Sequence, residues 1–284
     1  MSDSLPLPIA SLRNHHRLLA ERQVLRVDGE DARSWLNGQI TNNIIDFDAS
    51  SALYALIVNL KGKILADVWA LIRDDETIDL LVPSGTRSML LEYLDGFIIM
   101  EDVELRDDVS DVYHLCFESE PAQSGLSWSL AYLGLEAKLS TEVGSGTPIE
   151  DKAWLHAHHT ASRPLYGIDF GDNMLPQEAG LKELAVSFNK GCYQGQEAIV
   201  MLEHRGKPPK RLVNLELHQD PTEDLTKGSP IRDESGKEVG ALTLVLESGG
   251  SHLIRGWLRR STLERPDASL SIAGASASIT SLIG

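Results

Sequence analysis

Cysteine is scarce in this sequence, with two residues among 284. That excludes a disulfide scaffold and fits a chain kept in a reducing compartment. Long apolar runs are missing too. No stretch approaches the ~20 residues that a membrane-spanning helix needs. The opening MSDSLPLPIASLRNHHRLL lacks the apolar core and small-residue cleavage site of a secretory signal. A cytoplasmic location, with no membrane partner, is therefore expected. Basic residues are in deficit: 26 Lys and Arg stand against 42 Asp and Glu, a net charge of −16. Like charge argues against broad, nonspecific binding of nucleic acid. There is no P-loop, no dinucleotide fingerprint and no G-x-S-x-G elbow. His156 and His159 fall at i and i+3 on one helix face, with His158 beside them. No second cluster with ligand spacing accompanies them, so no dedicated metal site is expected.

Hydrophobic residues make up 42% and charged residues 24%, as in soluble globular proteins, and 284 residues suffice for two or three domains. Along the first hundred residues, RQVLRV, Ala52 to Asn59, Ile64 to Arg73, Thr77 to Val82 and Ile98 to Leu105 read as strands. Helices are expected from Glu30 to Asn37 and from Ser84 to Leu94. This mixture implies an α+β domain with an antiparallel sheet over residues 1–108. A second α+β region, 109–206, carries VYHLCFE and LSWSLAYLG as strands and a helix near Glu150 to Thr160. Beyond Pro208-Pro209, short apolar strands from Leu212 to Ile272 suit a small β-barrel over 207–284.

The stretch richest in chemistry is Lys190-Gly191-Cys192-Tyr193-Gln194-Gly195-Gln196-Glu197. Ala198 to Glu203 favours helix, and Gly206 with two prolines would stop it. Cys192 is thus expected at or just before a helix N-terminus, with an ammonium two residues away. Both features favour thiolate, the form that attacks electrophiles and binds metals. The alternative is a small hydrophobe filling space, the reading preferred for Cys116 in VYHLCFE. From Ser187 to Arg211 the charge is +3, with Arg205, Lys207, Lys210 and Arg211 grouped at one end, where an anionic tail or phosphate would find partners.

The octapeptide resembles the K-G-C-F/Y-x-G-Q-E signature of the YgfZ family of folate-binding proteins, relatives of the glycine-cleavage T-protein, GcvT. Gly29-Glu30-Asp31-Ala32 with Leu36-Asn37-Gly38-Gln39-Ile40-Thr41 is similar to the family's N-terminal pattern, although Asn43 stands where that pattern ends in aspartate. Asn59 to Lys63 resembles its hairpin turn, and Leu175-Pro176-Gln177-Glu178 its L-P-Q-E stretch. The resemblance implies a GcvT-like multi-domain fold ending in a β-barrel, binding of tetrahydrofolate or a derivative, and a role in iron–sulfur cluster maintenance and tRNA modification. Iron–sulfur client enzymes and tRNA would be its partners.

A pterin needs an apolar slot, an aromatic stacker and a group that reads its edge. The resemblance favours Glu178 as the edge-reading carboxylate, with Gln177 beside it. Trp154 is the candidate stacker, and Tyr193 and Arg205 are further candidate ligand contacts. Cys192 would be the reactive thiol, carrying an adduct or contacting a cluster, with Lys190 holding its charged form. Asp67 resembles one member of an aspartate pair in the aminomethyltransferases, but Ala66 replaces the other. A folate-dependent one-carbon transferase using Asp67 as acid–base group is one alternative. A docking module for protein or tRNA is the other.

Overall fold

After a 3-10 turn at Ile9–Leu12, a short strand, β1 (His15–Leu18), joins the second of two sheets. The computed structural model describes residues 9–118, 126–248, 250–265 and 268–284, the side chains of Arg205 and Ser248 excepted. After β1 come β2 (Arg22–Asp28), α1 (Ala32–Asn37), β3 (Ala52–Val58), β4 (Ile64–Ile72), β5 (Thr77–Pro83), α2 (Arg87–Asp95) and β6 (Glu104–Arg106). Strands 2 to 6 form a sheet in the order β3-β4-β5-β2-β6, with all pairs antiparallel. All seven residues of β3 are buried because both faces of the sheet are covered. Leu53, Ala55 and Ile57 join a core with Trp35, Leu36, Leu90 and Leu94 of the two helices. Tyr54, Leu56 and Val58 point the other way, toward the second sheet. Trp69 and Leu71 of β4 share that inner face. The expected strand from Ile98 shrinks to three residues, Glu104–Arg106, and Ile99 and Met100 are exposed in a turn.

The second sheet follows with β7 (His114–Phe117), β8 (Ser127–Tyr132), β9 (Leu135–Ser140) and β10 (Thr147–Pro148), in the order β10-β1-β7-β9-β8. LSWSLAYLG is therefore a strand and a turn, not strand throughout. Leu133 and Gly134 take positive φ, 53° and 79°, and the next residues return as β9. At the seam between sheets Ser51 bridges Ser129, and the Ser129 amide donates to the Ser50 carbonyl at 2.8 Å. Helix α3 (Asp151–Thr160) leads to a long connection carrying α4 (Lys182–Ala185) and α5 (Gln196–Arg205).

The last third comprises β11 (Lys210–Leu217), β12 (Pro230–Arg232), β13 (Glu238–Ser248), β14 (Ser251–Arg259), α6 (Arg260–Leu263), β15 (Leu270–Ile272) and β16 (Ala275–Leu282). These strands close a six-stranded barrel around Val213, Leu215, Ile231, Ile254 and Leu258. Closure removes exposed edges. Arg255, fully buried, fastens the barrel to the rest of the chain. Its guanidinium pairs with Asp169 at 2.8 Å and donates to the His158 carbonyl at 3.0 Å and to Asn214 Oδ1 at 3.0 Å. Two barrel strands thus grip α3 and the segment after it, and loss of one partner from such a pair costs about 3–5 kcal/mol.

Candidate functional site

Helix α5 starts at Gln196 behind Gly195, so Cys192 precedes it by four residues. The expected position at the helix end is corrected: Gly195 adopts φ 75°, which breaks the helical path between the thiol and the first turn. The loop is nonetheless held at each side of the cysteine. The Lys190 ammonium donates three hydrogen bonds, to the carbonyls of Asn37 (2.6 Å), Ile40 (2.8 Å) and Asn42 (2.7 Å). An ammonium has three N–H groups, so all are committed to backbone. Lys190 is a clamp on the end of α1, not a donor to the thiol as expected from its spacing. Burial brings it down to about 8.

Tyr193 packs in the core with its ring 5.2 Å from the Lys190 ammonium. Burial raises its phenol to about 12. The next amide, Gln194, donates to the Gly38 carbonyl at 3.0 Å. A side chain at Gly195 would collide with the Asn59 carbonyl, and one at Gly62 would press on Ala198 and Ile199 at 3.1 Å. The signature loop and the β3–β4 turn thus interlock through two glycines, both at positive φ. Between these anchors Cys192 is exposed, whereas Cys116 is buried and burial pushes its thiol up.

Asp67 is 2% exposed on the inner face of β4. Its two oxygens accept a bidentate fork from Arg22, each contact 2.8 Å, and the Tyr54 hydroxyl donates to Oδ2 at 2.8 Å. Burial and this carboxylate raise the Tyr54 phenol. The aspartate thereby neutralises a buried arginine between the sheets.

Glu178 and Gln177 are also drawn inward. Glu178 Oε2 accepts the Leu175 amide at 2.7 Å and sits 3.4 Å from the Lys63 ammonium. Gln177 donates to the Ile199 carbonyl at 3.0 Å. The L-P-Q-E turn therefore seats α5 and the β3–β4 hairpin. Neither residue lines the two cavities described below, so Glu178 and Trp154 are not brought together. Of the basic cluster, Lys207 pairs with Glu264 at 3.2 Å, Lys210 lies 5.0 Å over Trp257, and Arg211 donates to the Ile283 carbonyl at 3.0 Å. The Arg205 side chain lies outside the described residues. His158 and His159 are core residues. Nδ1 of His158 donates to the Arg163 carbonyl and Nε2 of His159 to the Ile254 carbonyl, each at 3.2 Å.

Two cavities flank Trp69. The smaller, about 370 Å³, is lined by Trp69, Tyr132, Trp154 and Tyr166, by Leu115 and Leu165, and by Arg17, Glu21, Arg22 and Asp151 at its polar side. Trp154 stacks on Tyr132, rings 5.7 Å apart and 4° from parallel, and carries the Arg17 guanidinium at 4.9 Å. Arg17 reaches Asp151 at 3.0 Å, but its Nε is buried without a partner. The larger, about 950 Å³, opens at the seam between the sheets and contains Arg163. Arg17, Arg22 and Arg163 escape a sequence reading because their neighbours come from strands and loops distant along the chain. The only hint is the local +3 of residues 11–26 within an acidic chain.

Two layered α+β units closed by a six-stranded barrel make the GcvT-like fold. The chain matches glycine cleavage system aminomethyltransferase T from Bartonella henselae with a TM-score of 0.75, covering 96% of this chain and 87% of that one at 14% identity. Within that fold it is a relative of the YgfZ and IBA57 proteins. It is 24% identical over 242 residues to the tRNA-modifying protein YgfZ of Sodalis glossinidius, covering 74% of each chain. To the mitochondrial iron-sulfur cluster assembly factor IBA57 of Homo sapiens it is 28% identical over 256 residues, 77% of this chain and 71% of that one. No family model matches the chain. Among the described residues no helix is long and apolar enough to cross a membrane.

Proposed function

We propose that this protein binds a folate and supports the assembly or repair of iron–sulfur clusters, and through them tRNA modification, with Cys192 as its reactive thiol. The observation that carries the reading is the contrast between the two cysteines. One is sealed in a strand, while the other is exposed on a loop anchored by three lysine hydrogen bonds, a buried tyrosine and two interlocking glycines. An exposed side chain that merely fills space needs no such support. A thiol that must meet an electrophile or a cluster iron at fixed geometry does.

The folate half draws on the smaller cavity. Its volume suits a bicyclic ring, its walls are rings and leucines, and the unpaired Arg17 Nε offers a donor to the pterin edge. Trp154, Trp69 and Tyr166 would hold the ring, which would bring a one-carbon carrier to the site when bound. The names of the YgfZ and IBA57 relatives supply the iron–sulfur and tRNA context, with cluster iron as cargo and client enzymes as partners. We assign the protein to the cytoplasm, where two free thiols are stable. The one-carbon transferase reading is less well supported, because the Asp67 oxygens are already engaged by Arg22 and Tyr54.

The deciding experiment is rescue of iron–sulfur enzyme activity in a cell lacking the protein. Cys192→Ser is expected to leave the thermal midpoint unchanged and to abolish rescue. Iodoacetamide should label Cys192 in the folded protein and spare Cys116. Full rescue by the serine variant refutes the thiol's role.

A further inference from the structure

The larger cavity plays no part in the reading above. This open cleft of about 950 Å³ is lined by Leu53, Tyr54 and Trp69 from the first sheet, by Leu130 and Ala131 of β8, and by Arg163 from the connection after α3. Its lining mixes these apolar and aromatic side chains with polar ones, Asn42, Ser51, Ser129 and Lys138 among them, and Arg163 brings positive charge onto the rings. Several guanidinium groups hold a carboxylate, among them Arg22 on Asp67 at 2.8 Å, Arg26 on Asp79 at 2.6 Å and Arg255 on Asp169 at 2.8 Å, while half-buried Arg33 spends its donors on the Ile44 and Phe47 carbonyls. Arg163 forms no ion pair among the described residues. It rests on rings instead, 4.3 Å from the Tyr132 centroid, 5.0 Å from Tyr54 and 5.6 Å from Trp69.

Ring faces stabilise a cation without consuming the donors at the edge of its plane. A guanidinium has five N–H groups, so donors remain for a ligand. Two carboxylates stand on the cleft lining. Glu118 is paired with Arg13 at 3.3 Å, and Glu136 is exposed to water. Neither neutralises Arg163.

The geometry points to this cleft as a binding site for a carboxylate carried on an aromatic or apolar body, with Arg163 as the group that reads the carboxylate. The rings below the guanidinium fix its plane, and a carboxylate approaching from the cleft meets a preformed fork. Trp69 lines both cavities, so this site shares a wall with the one assigned to the pterin. The aminobenzoyl-glutamate half of a folate is such a ligand, and a free aromatic carboxylate is another. The inference rests on the folate reading for the ligand's source, not for the site itself.

Calorimetric titration of the full chain with 4-aminobenzoyl-L-glutamate, benzoate, tetrahydrofolate and a tetrahydropterin lacking the tail tests it. The wild type should bind aminobenzoyl-glutamate saturably, and Arg163→Gln should weaken that binding and tetrahydrofolate binding about tenfold or more. The tailless pterin should be unaffected. Ala131→Trp, which fills the cleft from an exposed strand position and leaves every charge in place, should give the same losses if Arg163→Gln fails to fold. Benzoate binding that depends on Arg163 assigns the site to aromatic carboxylates generally, whereas binding only with the glutamate attached assigns it to the folate tail. Tetrahydrofolate binding that is equal in wild type and both variants overturns this site and leaves the folate reading standing. Arg163-dependent binding of aminobenzoyl-glutamate without any response to tetrahydrofolate or pterin keeps the site and overturns that reading. Absence of binding by all four probes overturns both.

Discussion

Replacing Lys190 by methionine keeps an unbranched apolar stem, one atom shorter, and removes the ammonium, so the perturbation falls on its three hydrogen bonds and its contact with the Tyr193 ring. Those bonds, 2.6, 2.8 and 2.7 Å long, run to the carbonyls of Asn37, Ile40 and Asn42. A hydrogen bond to a charged group contributes about 1.5–3 kcal/mol net. The three share one charge and their contributions are not additive, so the expected loss is about 3 kcal/mol, not the full sum. The three carbonyls belong to the end of α1 and the turn after it, and that turn docks on the edge of β3. The Thr41 amide donates to the Leu56 carbonyl at 3.0 Å, and the Asn42 side chain donates to the Tyr54 carbonyl at 3.0 Å. Weakening should therefore reach the edge of the first sheet as well as the signature loop. Urea unfolding would measure the loss, and amide exchange over residues 38–42 and 187–195 would locate it. A loss below about 1 kcal/mol with unchanged exchange would refute the clamp.

The same residue makes a pH prediction. Burial holds Lys190 at about 8 against an ordinary 10.5. Between these values the unfolded chain binds more protons than the folded one, so the stability from this site rises as pH rises from about 8 to 10.5. The gap between wild type and Lys190→Met should widen over that range, and a constant gap would mean that the three carbonyl dipoles keep the ammonium at its ordinary value. Glu178→Ala should cost about 1.5–3 kcal/mol in stability, because it strips a buried acceptor from the Leu175 amide and a partner from Lys63. Loss of folate affinity with an unchanged thermal midpoint would contradict that structural role. Gly195→Ala should destabilise by about 2 kcal/mol or more through positive φ and the clash with the Asn59 carbonyl. Thermal unfolding would check this, with unaltered rescue by the variant counting against rigid presentation of Cys192.

What could be read along the chain was what local pattern encodes. The apolar runs Ala52 to Asn59 and Ile64 to Arg73, split by a Lys-Gly-Lys turn, placed a hairpin correctly, because strand runs and turn residues are local signals. The barrel was legible from short apolar strands spaced by turns, although β12 and β16 were missed. β12 is three residues long, and β16 alternates small residues with weak hydrophobic signal. The signature was visible as a string, and with it Cys192. Its environment was not, since the acceptors of Lys190 lie about 150 residues earlier in the chain. Spacing suggested that a lysine two residues from a cysteine serves the cysteine, but the fold turned its ammonium toward the end of α1.

Composition and period thus determined the class of fold, the buried hairpin, the barrel and the string around the thiol, since each depends on neighbours in sequence. Tertiary structure alone decided which charges meet. It gave Asp67 to Arg22 and Asp169 to Arg255, paired Lys207 with Glu264, and left Arg163 resting on three rings in the lining of a cleft. The energy of a charge depends on its distance from partners and from water, and for these residues both are set by elements that the chain brings together only when folded.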